Sequence, residues 1–147
     1  MKKLFFVALW LILGSAMAQD ASSEKDIADI KELILSAYVD GIQNAGEIEA
    51  VKQGFHPGFE MLIKQDNLLN KLTIYNWLPA IRRRKADPEI ANWPEVTCKF
   101  LDVDVTGDAA VVKLELHRED QLLFTDYLCL YRFDEGWKIV SKLFHRH

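Results

Sequence analysis

Apolar side chains recur every three or four residues in the stretch that follows Ser23, which is the spacing of one helix face. The pattern predicts an amphipathic helix over residues 24–44. Ser23-x-x-Asp26 stands at its start and resembles a capping box in which Asp replaces the usual Glu. The inward positions of this helix are Ile27, Ile30, Ile34, Tyr38 and Ile42.

The next stretch predicts a short helix and a hairpin. Gly46 in "NAGEIEAV" interrupts the first helix, and the apolar spacing resumes for a second, shorter one. The "HPG" at 56–58 ends it, because proline disfavours helical backbone in the residue before it. "FEMLIKQDNLLNKLT" then predicts two strands that turn near Asp66 and Asn67.

Residues 74–86 predict a third helix, although Pro79 lies inside it. If Asn76 is the N-cap, the proline falls in the first turn, where no N–H is needed. "RRRK" at 82–85 then lies at the C-terminus of the helix, where cations complement the helix dipole. We interpret these four cations as the solvated end of the helix, and the alternative is a binding patch.

The remainder of the chain predicts four consecutive antiparallel strands. Cys98 and Cys129 would then lie two strands apart, roughly 10 Å, which is too far for a disulfide. We therefore expect two free thiols. Three N-terminal helices packed on a mainly antiparallel sheet make an α+β fold. The predicted strands cover residues 97–105, 110–117, 122–133 and 137–144.

The last hairpin has a register that decides which side chains share a face. A three-residue loop, 134–136, pairs Cys129 with Ser141 and leaves one face uncharged. A two-residue loop would shift the register by one residue. We prefer the longer loop, so that the uncharged face looks inward. Asp126 then falls on the outer face, diagonal to Lys142, in an exposed ion pair; in another register it would face a ligand.

Two stretches resemble a known family. "AYVDGIQNAGEIEAVKQGFHPGFEMLI" resembles the opening of the nuclear-transport-factor-2-like (SnoaL-like) superfamily, and "FTDYLCLYRFDEGWKIVSKLFH" is similar to the closing hairpin of its "putative lumazine-binding" branch. The resemblance covers nearly all of the chain after residue 18. It implies a cone-shaped fold with the helices on a curved sheet, and a pterin-like ligand.

The leading functional hypothesis is a pocket inside the cone that binds a small, flat, largely apolar or aromatic ligand. Cys129 and Ser141 are small residues between large neighbours, which indicates a hollow in the inward face. Tyr38 and Trp77 on the helices are placed to close over it. The alternative is that these side chains fill the core. The expected ligand-binding residues are Tyr38, His56, Trp77, Tyr127, Cys129, Tyr131 and Ser141.

The other face of the hairpin is also rich in apolar side chains, which predicts a covering partner. We expect a homodimer through this outer face of the sheet. A protein-interaction module that acts through the same face is a further alternative. The residues of this expected interface are Phe124, Leu128, Leu130, Val140 and Phe144.

Catalysis is the less favoured alternative. Isomerases of the superfamily imply a tyrosine donor, a basic aspartate and a neutral acid, and these positions fall on Tyr38, near Ile63 and near Cys129. Of these three roles, only that of the tyrosine donor falls on a suitable side chain, so this chemistry is unfavoured. A lyase, isomerase or hydrolase that uses Tyr38 and His56 stays open. His145-x-His147 is a weak metal motif, and no cofactor motif occurs, so we expect no metal and no cofactor.

The first eighteen residues predict export. Lys2 and Lys3 precede eleven apolar residues and an A-x-A cleavage signal that ends at Ala18. Cleavage leaves one domain, 19–147, in the periplasm or outside the cell. Its 16 basic and 22 acidic residues give a net charge of −6, which disfavours nucleic acid as a partner. The sequence has no second apolar run of membrane length, so we expect no membrane association after cleavage.

Overall fold

The computed structural model describes residues 23–147. The predicted signal peptide and its cleavage site lie outside these residues. Within the described part of the chain, no helix is long and apolar enough to span a membrane.

The first helix, α1, covers residues 23–43 and changes its hydrogen-bonding pattern halfway. Residues 23–33 are α-helical, and Ile34–Gln43 is π-helical. The wider turn continues into the helix end, where the Asn44 N–H donates to the Val39 carbonyl over 2.9 Å. A helix was predicted here, but as a regular α-helix. The π segment buries three consecutive residues, Ala37, Tyr38 and Val39, which a single α-helical face does not.

The second helix, α2, is Ile48–Gly54, and it leads directly into strand β1, Phe55–Gln65. A β-carbon added at Gly54 would stand 2.2 Å from the β-carbon of Ala37, so α1 and α2 approach each other at backbone distance. The predicted hairpin is confirmed, because β1 turns at Asp66, with a φ of 53°, into β2, Leu68–Thr73.

The third helix, α3, is Ile74–Lys85. Its cap is Thr73, whose Oγ1 accepts a hydrogen bond from the Asn76 N–H over 3.4 Å. The prediction of Asn76 as the cap is therefore wrong by three residues, because the threonine that ends β2 already supplies an acceptor. Pro79 consequently lies past the first turn.

The last four strands form the predicted meander. Together with β2 and β1 they make one six-stranded sheet in the order β2-β1-β6-β5-β4-β3, in which only β1 and β6 run parallel. The helices and this curved, mainly antiparallel sheet confirm the predicted α+β class. The strands are β3 Val96–Thr106, β4 Ala109–Arg118, β5 Gln121–Phe133 and β6 Gly136–Arg146.

The β5–β6 hairpin has the predicted register along half its length. Thr125 pairs with His145 and Cys129 with Ser141, as expected. The register then shifts by one residue at a β-bulge, so that Phe133 pairs with Gly136 across a two-residue turn. A bulge adds one residue to one strand. The preferred register therefore holds only on the side of the bulge that contains Cys129 and Ser141, and a two-residue turn closes the other side.

The predicted orientation of this hairpin is wrong. Leu128 and Leu130 are 0% and 1% exposed and lie beside the buried Val112 of β4, so their face is the one that packs on the helices. Tyr131 and Leu143 are 53% and 46% exposed on the opposite face. Keeping charge away from the interior was the wrong criterion, because the interior accepts charges that are paired.

This inversion corrects the residues of the expected dimer interface. Leu128 and Leu130 belong to the protein's own core, and Phe124, Val140 and Phe144 are partly buried. The apolar character that suggested a partner is satisfied by the helices of the same chain. A homodimer or an interaction module cannot use this face.

Candidate functional site

A buried polar cluster lies where α1 meets the inner face of the sheet. Tyr38 comes from the π-helical part of α1, Asp126 from β5 and Lys142 from β6. Tyr38 and Asp126 are fully buried, and Lys142 is 4% exposed. In an otherwise apolar interior, each of these groups needs a partner from the other two.

The three side chains are joined by two hydrogen bonds and one ion pair. The Tyr38 hydroxyl donates to Asp126 Oδ2 over 2.5 Å, and Lys142 Nζ donates to the same hydroxyl oxygen over 2.5 Å. Lys142 Nζ also forms an ion pair with Asp126 Oδ1. This oxygen has no hydrogen bond of good angle within residues 23–147, so its contact with the ammonium is mainly electrostatic. The cluster is a closed triangle of donor, acceptor and cation.

Burial sets the protonation behaviour of the cluster. Burial, together with the adjacent Asp126 charge and hydrogen bond, raises the pKa of Tyr38 well above its usual value, so the phenol stays neutral. Burial lowers the pKa of Lys142 to about 8, although Asp126 acts in the opposite direction. Near neutral pH the lysine is therefore a cation that gives up its proton more readily than an exposed lysine does.

A pocket of about 380 Å³ opens beside this cluster. Lys142 and Tyr38 reach its surface, and Asp126 lies behind them. The ammonium of Lys142 stands 4.8 Å from the ring centre of Tyr38 and 5.0 Å from that of Phe144, within the range of cation–π contacts. The apolar residues that line the pocket are Met61, Trp77, Trp93, Leu123, Phe124 and Phe144.

The polar lining of this pocket is mostly cationic. Among the described residues that line it, four carry a positive charge and none carries a carboxylate. The uncharged, apolar cavity expected from the sequence is thus corrected to an aromatic pocket with a basic surface. Its polar residues are Tyr38, Gln43, Arg84, Arg118, Lys142 and Arg146.

A wider depression of about 650 Å³ lies near the N-terminus of α1, and its polar groups have structural roles. Arg132 Nη1 donates to both carboxylate oxygens of Asp26, over 2.8 and 3.0 Å, and the Trp137 indole N–H donates to Oδ1 over 3.2 Å. Asp26, predicted as part of a capping box, therefore joins the start of α1 to the β5–β6 hairpin. We place the functional site at the smaller, aromatic pocket.

Two of the seven expected ligand-binding residues line that pocket, Tyr38 and Trp77. His56 does not line it. The His56 ring is stacked on Phe133 with centroids 4.6 Å apart, and its Nδ1 accepts from the Gly58 N–H over 3.0 Å. The structure therefore does not bring His56 and Tyr38 together in one cavity, as the enzyme alternative required.

The other four expected residues lie on the face of the sheet that points away from the helices. Tyr127, Cys129 and Tyr131 alternate with the buried residues of β5, and Ser141 pairs with Cys129. The reason is the inverted orientation of the hairpin, since a strand presents alternate residues to opposite faces. They form an outer wall of the sheet and not the lining of the pocket.

Neither cysteine forms a disulfide, and the described residues contain no metal-binding cluster. Cys98 and Cys129 are both free, as predicted. Burial and the Asp126 charge raise the pKa of Cys98 to about 12, which keeps it a thiol. Within residues 23–147, no group of three or more His, Cys, Asp or Glu side chains is arranged to hold a metal ion.

The sequence contained a signal for the buried cluster. Asp126 and Lys142 were predicted as a pair, but as an exposed one. They lie beside Phe124, Leu128 and Phe144 on one face of the hairpin, and apolar surroundings of this kind are typical of a core. An acid and a base in such surroundings indicate a buried, compensated pair.

The family model described as "Putative lumazine-binding" matches residues 25–145. The chain belongs to this family. The match spans both the helices and the sheet, and it confirms the resemblance seen in the closing hairpin. No curated protein matches the chain significantly.

Solved structures with the same fold come from several bacteria. An NTF2-like protein of unknown function from Shewanella baltica is 23% identical, with a TM-score of 0.65, over 84% of this chain and 94% of its own. One from Silicibacter pomeroyi is 19% identical, with a TM-score of 0.69, over 85% and 98%. A "putative dehydratase" from Streptomyces avermitilis is 15% identical, with a TM-score of 0.56, over 84% and 97%. At these identities the likeness establishes the fold alone.

Proposed function

We propose that this protein binds a small, flat heterocycle of the lumazine or pterin type in the pocket beside Tyr38. One observation carries the proposal: the aromatic walls converge on a buried, hydrogen-bonded lysine and tyrosine. Binding sites for small molecules combine apolar walls with a few fixed polar groups in this way. The family description supports a small ligand, and the heterocycle is our inference.

The cluster has a donor left for such a ligand. An ammonium has three N–H groups. Lys142 donates one to the Tyr38 hydroxyl and holds Asp126 Oδ1 in an ion pair, which leaves at least one N–H for the pocket. A ring carbonyl or ring nitrogen is a suitable acceptor, and Trp77 and Phe144 offer faces on which a flat ring can stack.

Tryptophan fluorescence tests the proposal. Two tryptophans, Trp77 and Trp93, line the pocket, so lumazine or pterin should quench the emission in a saturable way. Trp77→Phe should remove most of the quenching and Lys142→Met should weaken binding by tenfold or more. Tyr127→Ala, on the outer face, is the matched control and should bind as the wild type does. A wild-type protein that shows no response to either compound would contradict the proposal.

Export is part of this proposal. The charged start, the apolar run and the Ala18 cleavage signal support a protein that works in the periplasm or outside the cell as one domain, 19–147. The intact mass of the protein recovered from a periplasmic or culture fraction tests it. We expect a chain that begins at Gln19. A full-length chain found only in the cytoplasm would contradict export.

A second candidate function is catalysis at the same pocket, and the lowered pKa of Lys142 favours it. A lysine that gives up its proton near pH 8 beside a neutral phenol can move protons at a bound carbonyl compound. The test is deuterium uptake from heavy water next to the carbonyl of a ligand such as 2-tetralone. Tyr38→Phe and Lys142→Met should abolish the uptake, and His56→Ala should not. If the wild type binds the ligand but takes up no deuterium, catalysis is contradicted and only the binding function stands.

A further inference from the structure

Three arginines surround the mouth of the Tyr38 pocket without acidic partners. Arg84, Arg118 and Arg146 all line it, and none of them forms an ion pair with another residue of the described chain, 23–147. By contrast, Arg132, at the other end of the sheet, pairs with both Asp26 and Asp108. The absence of acids is thus a local property of this mouth in a chain that is acidic as a whole.

Neutral groups hold two of these arginines in place. Arg84 donates to the carbonyls of Ile42 and Gln43 over 3.4 and 3.0 Å, at the end of α1. Arg118 Nε donates to the Pro94 carbonyl over 3.2 Å. Carbonyls orient a guanidinium but do not neutralise it. Each arginine therefore keeps both its charge and N–H donors that can reach a ligand.

Two of the three arginines also stack on aromatic rings. The Arg118 guanidinium lies 4.8 Å from the ring centre of Trp93, and that of Arg146 lies 5.4 Å from Phe124. Stacking on a ring leaves the edge of the guanidinium, which carries the donors, open to the pocket. The same rings line the pocket, so an aromatic ligand and the arginines share one surface.

Arg84 and Arg118 also connect the pocket to a second cavity. A cleft of about 230 Å³ adjoins it, and Gln43, Arg84, Trp93 and Arg118 line both. Burial, together with the nearby charge of Arg118, lowers the pKa of Arg84. Glu95 also lines the cleft but forms an ion pair with neither arginine. Two adjacent positive charges that are partly removed from water favour the binding of an anion between them.

We propose that the ligand of the Tyr38 pocket carries an oxyanion, a carboxylate or a phosphate, which Arg84 and Arg118 bind where the pocket meets the adjoining cleft. The flat ring fills the aromatic pocket against Lys142, and the anionic group reaches toward the two guanidinium groups. Their planar, forked donors match the oxygens of such a group. This inference rests on the proposed binding function and specifies the class of ligand.

Matched ligand pairs test the oxyanion by titration calorimetry on the mature protein. Pterin-6-carboxylate is compared with pterin, and 2-naphthoate with its neutral analogue 2-naphthamide. In each pair the anion should bind at least tenfold more tightly, and its affinity should fall as NaCl is raised. 2-Naphthyl phosphate distinguishes the two sources of the charge, since tighter binding than 2-naphthoate identifies a phosphate site.

Variants assign the effect to the arginines. Arg118→Gln should weaken the anions about tenfold more than it weakens pterin and 2-naphthamide, whereas Arg118→Lys should restore part of the loss. Arg83→Gln is the matched control, because it removes an exposed arginine from the same helix as Arg84 without touching the pocket. Arg118 is preferred to Arg84 for the test, because Arg84 also joins α3 to the end of α1.

The outcomes separate the two proposals. If pterin and pterin-6-carboxylate bind equally, the pocket is confirmed and the oxyanion site is overturned. If neither pterin binds but 2-naphthoate exceeds 2-naphthamide, the oxyanion site stands and the heterocycle is wrong. If no compound binds, or if Arg118→Gln weakens neutral and anionic ligands alike, the oxyanion proposal fails.

Discussion

The Tyr38–Asp126–Lys142 cluster puts two charges and a hydroxyl into the interior, and each depends on the other two. Removing ions from water costs several kcal/mol per ion, which their mutual attraction offsets only when the geometry is good. Here the lysine contacts both partners, and the phenol bridges to the carboxylate. The cluster should therefore respond very differently to the loss of one charge and to the loss of both.

Lys142→Met alone should lower the free energy of unfolding by about 3–5 kcal/mol, because it leaves Asp126 buried without a cation. The double variant Asp126→Asn, Lys142→Met removes both charges and should recover most of this loss. Urea denaturation at pH 7 measures both values. Lys64→Met, on the exposed end of β1, is the control and should change little. Equal losses in the single and double variants would show that the two charges are not coupled.

The lowered pKa of Lys142 also predicts how stability depends on pH. Between about pH 8 and the ordinary lysine value near 10.5, the unfolded chain holds a proton that the native protein has released. Stability rises with pH wherever the unfolded state binds more protons. The cost of burying the charge is therefore present below pH 8 and disappears as pH rises. The raised pKa of Tyr38 acts in the opposite direction, and only above about pH 10.

Between pH 8 and pH 10, the free energy of unfolding of the wild type should rise by on the order of 2 kcal/mol relative to that of the double variant Asp126→Asn, Lys142→Met. Urea denaturation at half-unit intervals of pH measures the difference between the two proteins, so that other titrating groups cancel. A difference that stays constant over this range would mean that Lys142 titrates as an exposed lysine does.

At the scale of elements, two local irregularities position the site. The π-helical end of α1 turns Tyr38 toward the sheet among consecutive buried residues, and the bulge in the β5–β6 hairpin shifts the register beyond Cys129. Bulges and π turns often occur at functional sites, because they redirect side chains that regular elements would space evenly. The π-helical segment also packs closely against α2, where Ala37 meets Gly54.

The approach of α2 to α1 provides a test of that packing. Gly54→Ala would place a β-carbon 2.2 Å from the β-carbon of Ala37, so the helices must move apart. We expect a loss of about 1–3 kcal/mol in the free energy of unfolding, measured in urea. Gln53→Ala, one position earlier on an exposed face, should stay within about 0.5 kcal/mol of the wild type. A Gly54→Ala protein of wild-type stability would contradict the close approach.

For the whole molecule, the sheet covers the helices with one face and leaves the other open. Val111, Tyr131 and Leu143 are about half-exposed on that outer face. The predicted homodimer, if it forms through the sheet, must use this side, because the face first expected is filled by the chain's own helices. Exposed apolar residues that share one face are typical of interaction surfaces.

Sedimentation equilibrium tests the dimer. We expect twice the monomer mass for the wild type at micromolar concentration and a monomer for Leu143→Glu. Leu68→Glu adds the same charge at an exposed leucine of β2 and should leave the assembly unchanged. A monomeric wild type would contradict the prediction.

Much of the architecture could be predicted from local patterns. Helical spacing, turn residues and alternating strands indicated three helices, a hairpin and a meander, because these signals act over a few residues. Tyr38 and Trp77, two of the expected ligand-binding residues, line the pocket, since each lies on a helix face that must pack on the sheet. The pairing of Asp126 with Lys142 followed from strand register, which the same short-range pattern specifies.

Tertiary structure alone decided which face of the hairpin became the interior. Alternation divides a strand into two faces but does not say which of them the helices cover. Both faces of β5–β6 carry apolar residues, and the sequence favoured the one without charge. The chain instead buries the face with Asp126 and Lys142, because Tyr38 arrives from a distant helix to complete their hydrogen bonds. That contact joins residues 88 positions apart in the chain, which no local pattern can encode.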